Sequence, residues 1–165
     1  MKFTRTEFDK DAYVKRVQQN PCFICAMVAE TSDSDHEIIQ RDDQHIAFFS
    51  RYPSLLGYAL VSPAWHAEDI VEDLTERQYL DMQALVHRVA RALKRCLPTE
   101  RMYVLSLGSQ QGNSHIHWHI APLPPGVPYE QQQFHALMPE TGGVLDIEPA
   151  DLADLAQRVR AELAA

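Results

Sequence analysis

Cysteine is scarce in this chain. Three residues in 165 are too few for a disulfide framework, and they suit a reducing compartment. Positive charge is also short, with 15 Lys and Arg against 23 Asp and Glu and a formal net charge of -8. The basic residues are scattered, which excludes a broad nucleic-acid surface. No apolar run of about 18 residues is available to span a bilayer, and the opening MKFTRTEFDKDAYVKRV lacks the apolar stretch of a secretory leader. A cytoplasmic location with no membrane partner is therefore expected. Repeats and low-complexity segments are lacking too. If such an acidic protein handles phosphate, it must build positive potential locally, from a metal, imidazoles or backbone N–H groups.

What is present is a hydrophobic content of 45% over 165 residues, enough for one packed domain and short for two. DKDAYVKRVQQ (9–19) reads as a short helix, stopped before Pro21. CFICAMVAE follows as a tight turn running into a few apolar residues. HEIIQRDDQHIAFFS reads as a β-hairpin turning near Asp42 and Asp43, and a further strand is expected at about 58–62, stopped by Pro63. From Leu74 through Tyr79, Met82, Leu85, Val86, Val89, Leu93 and Leu97 the apolar residues keep a helical period, with Thr75 as the cap. RMYVLSLG is a strand, SQQGNS a polar turn, and SHIHWHIA a final strand. The C-terminal stretch EPADLADLAQRVRAELAA is amphipathic, with Leu152, Leu155, Val159 and Leu163 on one stripe. This order specifies an antiparallel α+β domain. It has a sheet of about five strands, one long helix and short N- and C-terminal helices.

Two clusters carry chemistry. In SHIHWHIAPLPPG (114–126), His115, His117 and His119 alternate with Ile116, Trp118 and Ile120, so a strand would present a row of imidazoles on one face and an apolar row on the other. Neighbours in that row stand roughly 6.5 to 7 Å apart, close enough for two rings to flank one phosphate. Separately, Cys22 and Cys25 in NPCFIC have a spacing that lets both thiolates reach one tetrahedral zinc. No second CxxC or finger-type histidine pair accompanies them, so further ligands must come from afar, His66 and a member of the histidine row being the candidates. On spacing alone, two buried thiols or a redox pair remain open. Three histidines ligating a catalytic zinc is another reading of the row. Cys96 reads as a core residue, and His36, His45, His87 and His135 receive no role.

HIHWHIA, with CFIC upstream, HIAFFSRYPSLLGYALVSPAWH and the long helix in the same order, resembles the histidine triad (HIT) family over about residues 20–123, leaving 124–165 as a Pro-rich extension and C-terminal helix. The resemblance implies an α+β homodimer that binds a nucleotide and cleaves at its α-phosphate. The substrates implied are phosphoramidates, dinucleoside polyphosphates or related conjugates, and the products include a nucleoside monophosphate. It makes His117 the nucleophile of a nucleotidyl-histidine intermediate and gives His119 a contact to phosphate oxygens or leaving group. Asn113 and Ser114 then meet phosphate oxygens from the turn. In zinc-containing branches the metal ligands correspond to Cys22, Cys25, His66 and His115, a closed structural zinc site. Phe48 and Phe49 are candidates to wall the base, core packing being the alternative for both. The chain departs from the family pattern with Tyr58 where His is usual, Ser50 in place of the Asp near the ribose, and a turn before the triad two residues shorter. These departures motivate a second expectation, a non-catalytic nucleotide-binding module with a structural zinc.

Overall fold

The computed structural model describes residues 3–31, 36–107 and 112–165. Strand β1 (Phe3–Thr6) is followed by helix α1 (Lys10–Gln19), whose N-cap Asp9 accepts from the Ala12 N–H at 2.9 Å. The apolar stretch expected as a turn is instead a short helix, α2 (Phe23–Val28), with Ile24 and Met27 buried. Its six residues are too few to display a helical period in the sequence. The hairpin is β2 (Ile38–Arg41) and β3 (His45–Phe49), with the Asp42 carboxylate accepting from the Gln44 and His45 N–H groups in the turn. Strand β4 (Ala59–Pro63) is buried throughout.

Helix α3 (Glu76–Cys96) starts at Thr75 with a capping box: Thr75 Oγ1 accepts from Gln78 N, and Gln78 Oε1 accepts from Thr75 N at 2.9 Å. Its stripe of Met82, Leu85, Val86, Val89, Ala92 and Leu93 is buried. After β5 (Arg101–Leu105), the last strand of the sheet is β6 (Trp118–Leu123). It begins later than the sequence suggests, so His115 and His117 precede it. The cause lies in the backbone bonds of that stretch: Ile116 N donates to Ala67 O at 2.8 Å and Ile116 O accepts from Ser62 Oγ at 2.7 Å. Those bonds draw the chain out of the ladder. Residues 109–111 of the preceding turn lie outside the described residues.

The five strands pair antiparallel in the order β2-β3-β4-β6-β5. Register then sorts the side chains. Phe48 pairs with Leu60 and Leu60 with His119, so these three share one face. Phe49 pairs with Ala59 and Ala59 with Ile120, which share the other. That second face carries the main core with α3. Phe49, expected as a candidate wall beside Phe48, is in this core because adjacent strand residues point to opposite sides. On the first face, Ile46, Phe48 and Leu60 pack against α2.

The Pro-rich stretch after the sheet is more structured than expected. It forms a 3-10 turn at Tyr129–Gln131, two one-turn helices α4 (Phe134–Leu137) and α5 (Pro139–Gly142), and strand β7 (Val144–Ile147). β7 pairs with β1 in a separate two-stranded sheet, which the sequence reading missed. Helix α6 (Pro149–Ala164) buries Leu155, Ala156 and Val159 in the main core, as its stripe requires. Among the described residues no helix is long and apolar enough to cross a membrane.

Gly143, at φ +69°, makes the entry to β7, and a Cβ there would sit 2.7 Å from the Thr6 carbonyl oxygen of β1. Backbone cannot yield as a side-chain tip can. Gly143→Ala is expected to lower the opening free energy of the β1–β7 amides by about 1 to 3 kcal/mol, read by hydrogen exchange. Unchanged protection of those amides would contradict the packing described.

Candidate active site and metal centre

Four ligand atoms, from Cys22, Cys25, His66 and His115, lie within 4.8 Å of one another. Cys22 opens α2 and Cys25 sits one turn along it, which brings both sulfurs to the same side. Sγ of Cys22 is 3.3 Å from Nδ1 of His115, and Sγ of Cys25 is 3.3 Å from Nδ1 of His66 and 3.5 Å from Nδ1 of His115. A tetrahedron with Zn–S near 2.3 Å and Zn–N near 2.0 Å has S···N edges of about 3.5 Å. The observed edges match it.

The histidine tautomers agree. His115 Nε2 lies 3.1 Å from the Pro63 carbonyl, which can only accept, so that nitrogen carries the proton and Nδ1 keeps its lone pair toward the thiols. His66 Nε2 is 3.1 Å from Glu68 Oε1, with the same consequence for its Nδ1. Backbone carbonyl and carboxylate are the usual outer partners of metal-bound histidines. Burial first, with the neighbouring His66 and His117 adding to it, pulls His115 down to about 4, so its ring is neutral, as a ligand must be. The Cys25 thiol is pushed up to about 11, by burial first and then by Cys22. A cation would relieve that cost. The four side chains are positioned to bind a metal ion, and two sulfurs with two imidazoles form the closed donor set of structural zinc.

Beside this centre opens a cleft of about 550 Å³, within the range of small-molecule sites. His117 and His119 line it, their ring centroids 4.7 Å apart, while His115 does not. His117 Nδ1 is 2.6 Å from the His115 carbonyl oxygen. The carbonyl accepts, so Nδ1 holds the proton. Burial keeps the ring below the ordinary histidine range and hence neutral, which leaves the lone pair on Nε2. His119 is pulled down to about 3 by burial and, less, by His117.

Other expected site residues divide. Phe48, Ser50 and Asn113 line the cleft. Ser50 Oγ accepts from Tyr52 N at 3.2 Å. Asn113 is buried, and its Nδ2, like His119 Nδ1, has no hydrogen-bond partner among the described residues. Both atoms are closed off from solvent as well as unpartnered, and they belong to residues that line one cleft. Ser114 instead donates its hydroxyl to Glu68 Oε1, the carboxylate that orients His66. It belongs to the metal centre because the chain turns away from the cleft there. Phe49 is on the far side of the sheet.

Sequence reasoning missed several contributors. Ser106 Oγ donates to the His117 carbonyl at 3.0 Å. Phe23 and His36 stack at 5.3 Å, with Phe48 edge-on to both, forming an aromatic end of the cleft. Tyr58, which stands where the family usually has histidine, lies edge-on to His119 at 5.7 Å, its hydroxyl pushed upward in pKa by burial and so protonated. Glu68, two residues beyond His66, was findable from the need for an outer partner.

The family model for the HIT domain matches residues 31–125. The chain belongs to the HIT family. An uncharacterised HIT-like protein of Saccharolobus solfataricus is 29% identical over 104 residues, which cover 61% of this chain and 73% of that protein. Among solved structures, a hypothetical histidine triad nucleotide-binding protein of Sulfolobus tokodaii superposes with a TM-score of 0.69 at 21% identity, covering 87% of this chain and 92% of that one. A zinc-bound histidine triad protein of Mycobacterium smegmatis gives 0.67 at 22%, covering 87% and 93%. At these identities the likeness to solved structures is one of fold, and it is the HIT fold. α1, β7 and α6 lie outside the HIT-matched segment.

Two outcomes check the geometry. Elemental analysis should find metal in the native protein and in His117→Ala, and roughly tenfold less or lower in Cys25→Ala. Metal lost from His117→Ala would instead place that ring among the ligands. In an NMR titration the His119 ring should stay neutral from pH 7 to pH 5, where an exposed histidine turns over near 6.5. Burial disfavours the imidazolium, so protonation is displaced to lower pH, and a His119 midpoint above pH 5.5 would refute the assignment.

Proposed function

We propose that this protein is a nucleotide hydrolase or nucleotidyl transferase that cleaves at the α-phosphate of a nucleoside phosphoramidate, dinucleoside polyphosphate or related conjugate, with His117 as nucleophile. The observation that carries the reading is the 2.6 Å bond from His117 Nδ1–H to the His115 carbonyl, which leaves a neutral ring with its lone pair on Nε2 at a cleft. Nε2 forms a bond to phosphorus while the bond from phosphorus to the leaving oxygen or nitrogen breaks, its electron pair departing with the leaving group. The leaving group takes a proton from solvent; water or another acceptor then attacks phosphorus and gives a proton back, the P–N bond breaks with its electron pair returning to Nε2, and the nucleoside monophosphate or transferred product is released with His117 restored.

A non-bridging oxygen would accept from Asn113 Nδ2 and, with the proton on Nδ1, from His119. Its low basicity suits His119 to hydrogen bonding rather than proton uptake. The aromatic end formed by Phe23, His36 and Phe48 supports stacking of the base, with Ser50 toward the ribose. The zinc belonging to the four-ligand centre would be structural. Bound there, it ties α2 and the loop after β4 to the residue two before His117, which keeps the nucleophile's backbone fixed.

The homodimer and cytoplasmic setting belong to the same proposal. β5 is a sheet edge with Val104 on it and Leu107 just beyond it exposed, which supports pairing with a second copy. One single domain over residues 1–165 is the accompanying organisation, supported by the seat of α6 in the main core.

Incubation with adenosine 5′-phosphoramidate or a diadenosine polyphosphate should release AMP and leave a nucleotidyl adduct on His117 detectable by mass spectrometry. His117→Ala should cut kcat/KM by roughly 10³-fold or more. AMP binding without turnover of any conjugate would favour the non-catalytic module, for which the Tyr58 ring against His119 is the supporting feature.

A further inference from the structure

The cleft has a second wall that the HIT-matched segment does not supply. α1 turns Lys10, Tyr13, Arg16 and Val17 to it, and Met138 and Glu140 of the C-terminal extension close the same side. None of the residues of α1 is fully buried. The helix is therefore held at the cleft by its contacts there and not by the main core. The wall comes near the turn before His115, since a Cβ added at Gly112 would lie 3.4 Å from the Tyr13 hydroxyl.

Its centre is an aromatic platform with a guanidinium on it, to which the HIT-matched segment adds Tyr52. Phe8, Tyr13 and Tyr52 brace one another with centroids 5.5 to 5.7 Å apart. The Arg16 guanidinium carbon lies 5.0 Å from the Tyr52 centroid and 6.0 Å from that of Tyr13. An arginine held over aromatic rings keeps its N–H fork at the edge of the guanidinium plane, ready for bidentate contact with phosphate. Lys10 is already matched by Glu140 at 3.9 Å. For Arg16 no carboxylate of the described residues lies within salt-bridge reach. In a chain of net charge -8, a positive group kept in a ligand cleft without an acidic partner is a place for an anion.

In the reading above the α-phosphate takes His117, Asn113 and His119 as its partners, all of which line the cleft. Arg16 lines the same cleft from α1, outside the HIT-matched segment. We propose that Arg16, steadied on Tyr52 and Tyr13, binds a phosphate of the leaving group, so that the preferred substrates are conjugates in which at least one more phosphate follows the α-phosphate. The inference rests on the nucleotide-cleaving reading above and narrows its substrate class from phosphoramidates toward polyphosphates.

The test is a ratio. AMP release is measured from diadenosine triphosphate and from adenosine 5′-phosphoramidate, and kcat/KM for the first is divided by that for the second. Arg16→Gln should lower the ratio by roughly tenfold to a hundredfold, the loss of one charge-assisted contact. Arg16→Lys should recover only part of it, because an ammonium keeps the charge without the flat fork. In parallel, calorimetry on the His117→Ala background should show Arg16→Gln raising the Kd of diadenosine triphosphate relative to that of AMP by a similar factor. Ratios that stay within about twofold, with AMP still bound, overturn the role of Arg16 alone. If the wild type neither binds AMP nor cleaves either compound, the nucleotide reading falls and this inference falls with it.

Discussion

The structure around the cleft depends on how one residue, His115, is held. Its ring is pinned at both ends: Nε2–H to the Pro63 carbonyl at 3.1 Å and Nδ1 toward two sulfurs at 3.3 and 3.5 Å. Its carbonyl in turn fixes the His117 ring. Side chain and backbone of a single residue thus serve different centres, the first a metal site and the second the ring proposed as nucleophile. Geometry reaches His117 through one short bond from its ring to the His115 backbone. Once the tautomer of each ring is set by a partner that can only accept, neither needs a neighbouring carboxylate to choose its lone pair.

Coupling of this kind explains why the triad is not a row on a strand. A continuous ladder would have sent all three imidazoles to one side. Here Ile116 gives its N–H to Ala67 and its carbonyl to Ser62, so the chain leaves the sheet for the stretch that must serve the metal centre and returns to it at Trp118. His119, back in register opposite Leu60, then faces the cleft for ordinary sheet reasons.

Much of this was legible in the residues. Long-range order came from Thr75 and the stripe below it, from the hairpin turning at Asp42, and from the 22, 25, 66 and 115 ligand set that the family resemblance supplied. Three features were not legible, each for a physical reason. α2 is too short to show periodicity. Phe48 and Phe49 are adjacent, and only the register tells which of the two faces α3. The β1–β7 ribbon was least readable of all, because FTRT and VLDI pair across 138 or more positions (Phe3 with Ile147 and Thr6 with Val144) and four-residue segments carry almost no pattern of their own. Ser114 was assigned to phosphate because of where it falls in the turn, while its hydroxyl in fact supports Glu68.

The pairing of β1 with β7 joins the two flanks of the chain that lie outside the HIT-matched segment. Arg5 strengthens the seam, donating to the carbonyls of Ser54, Gly142 and Gly143, and Leu145 N donates to Pro53 O at 2.8 Å. The helix that carries Arg16 and the extension that carries Glu140 are therefore joined through one two-stranded ribbon, fastened to the loop between β3 and β4. Within that ribbon each strand has only the other as its ladder partner, so loss of either flank of the chain would strip the remaining one of its backbone pairing.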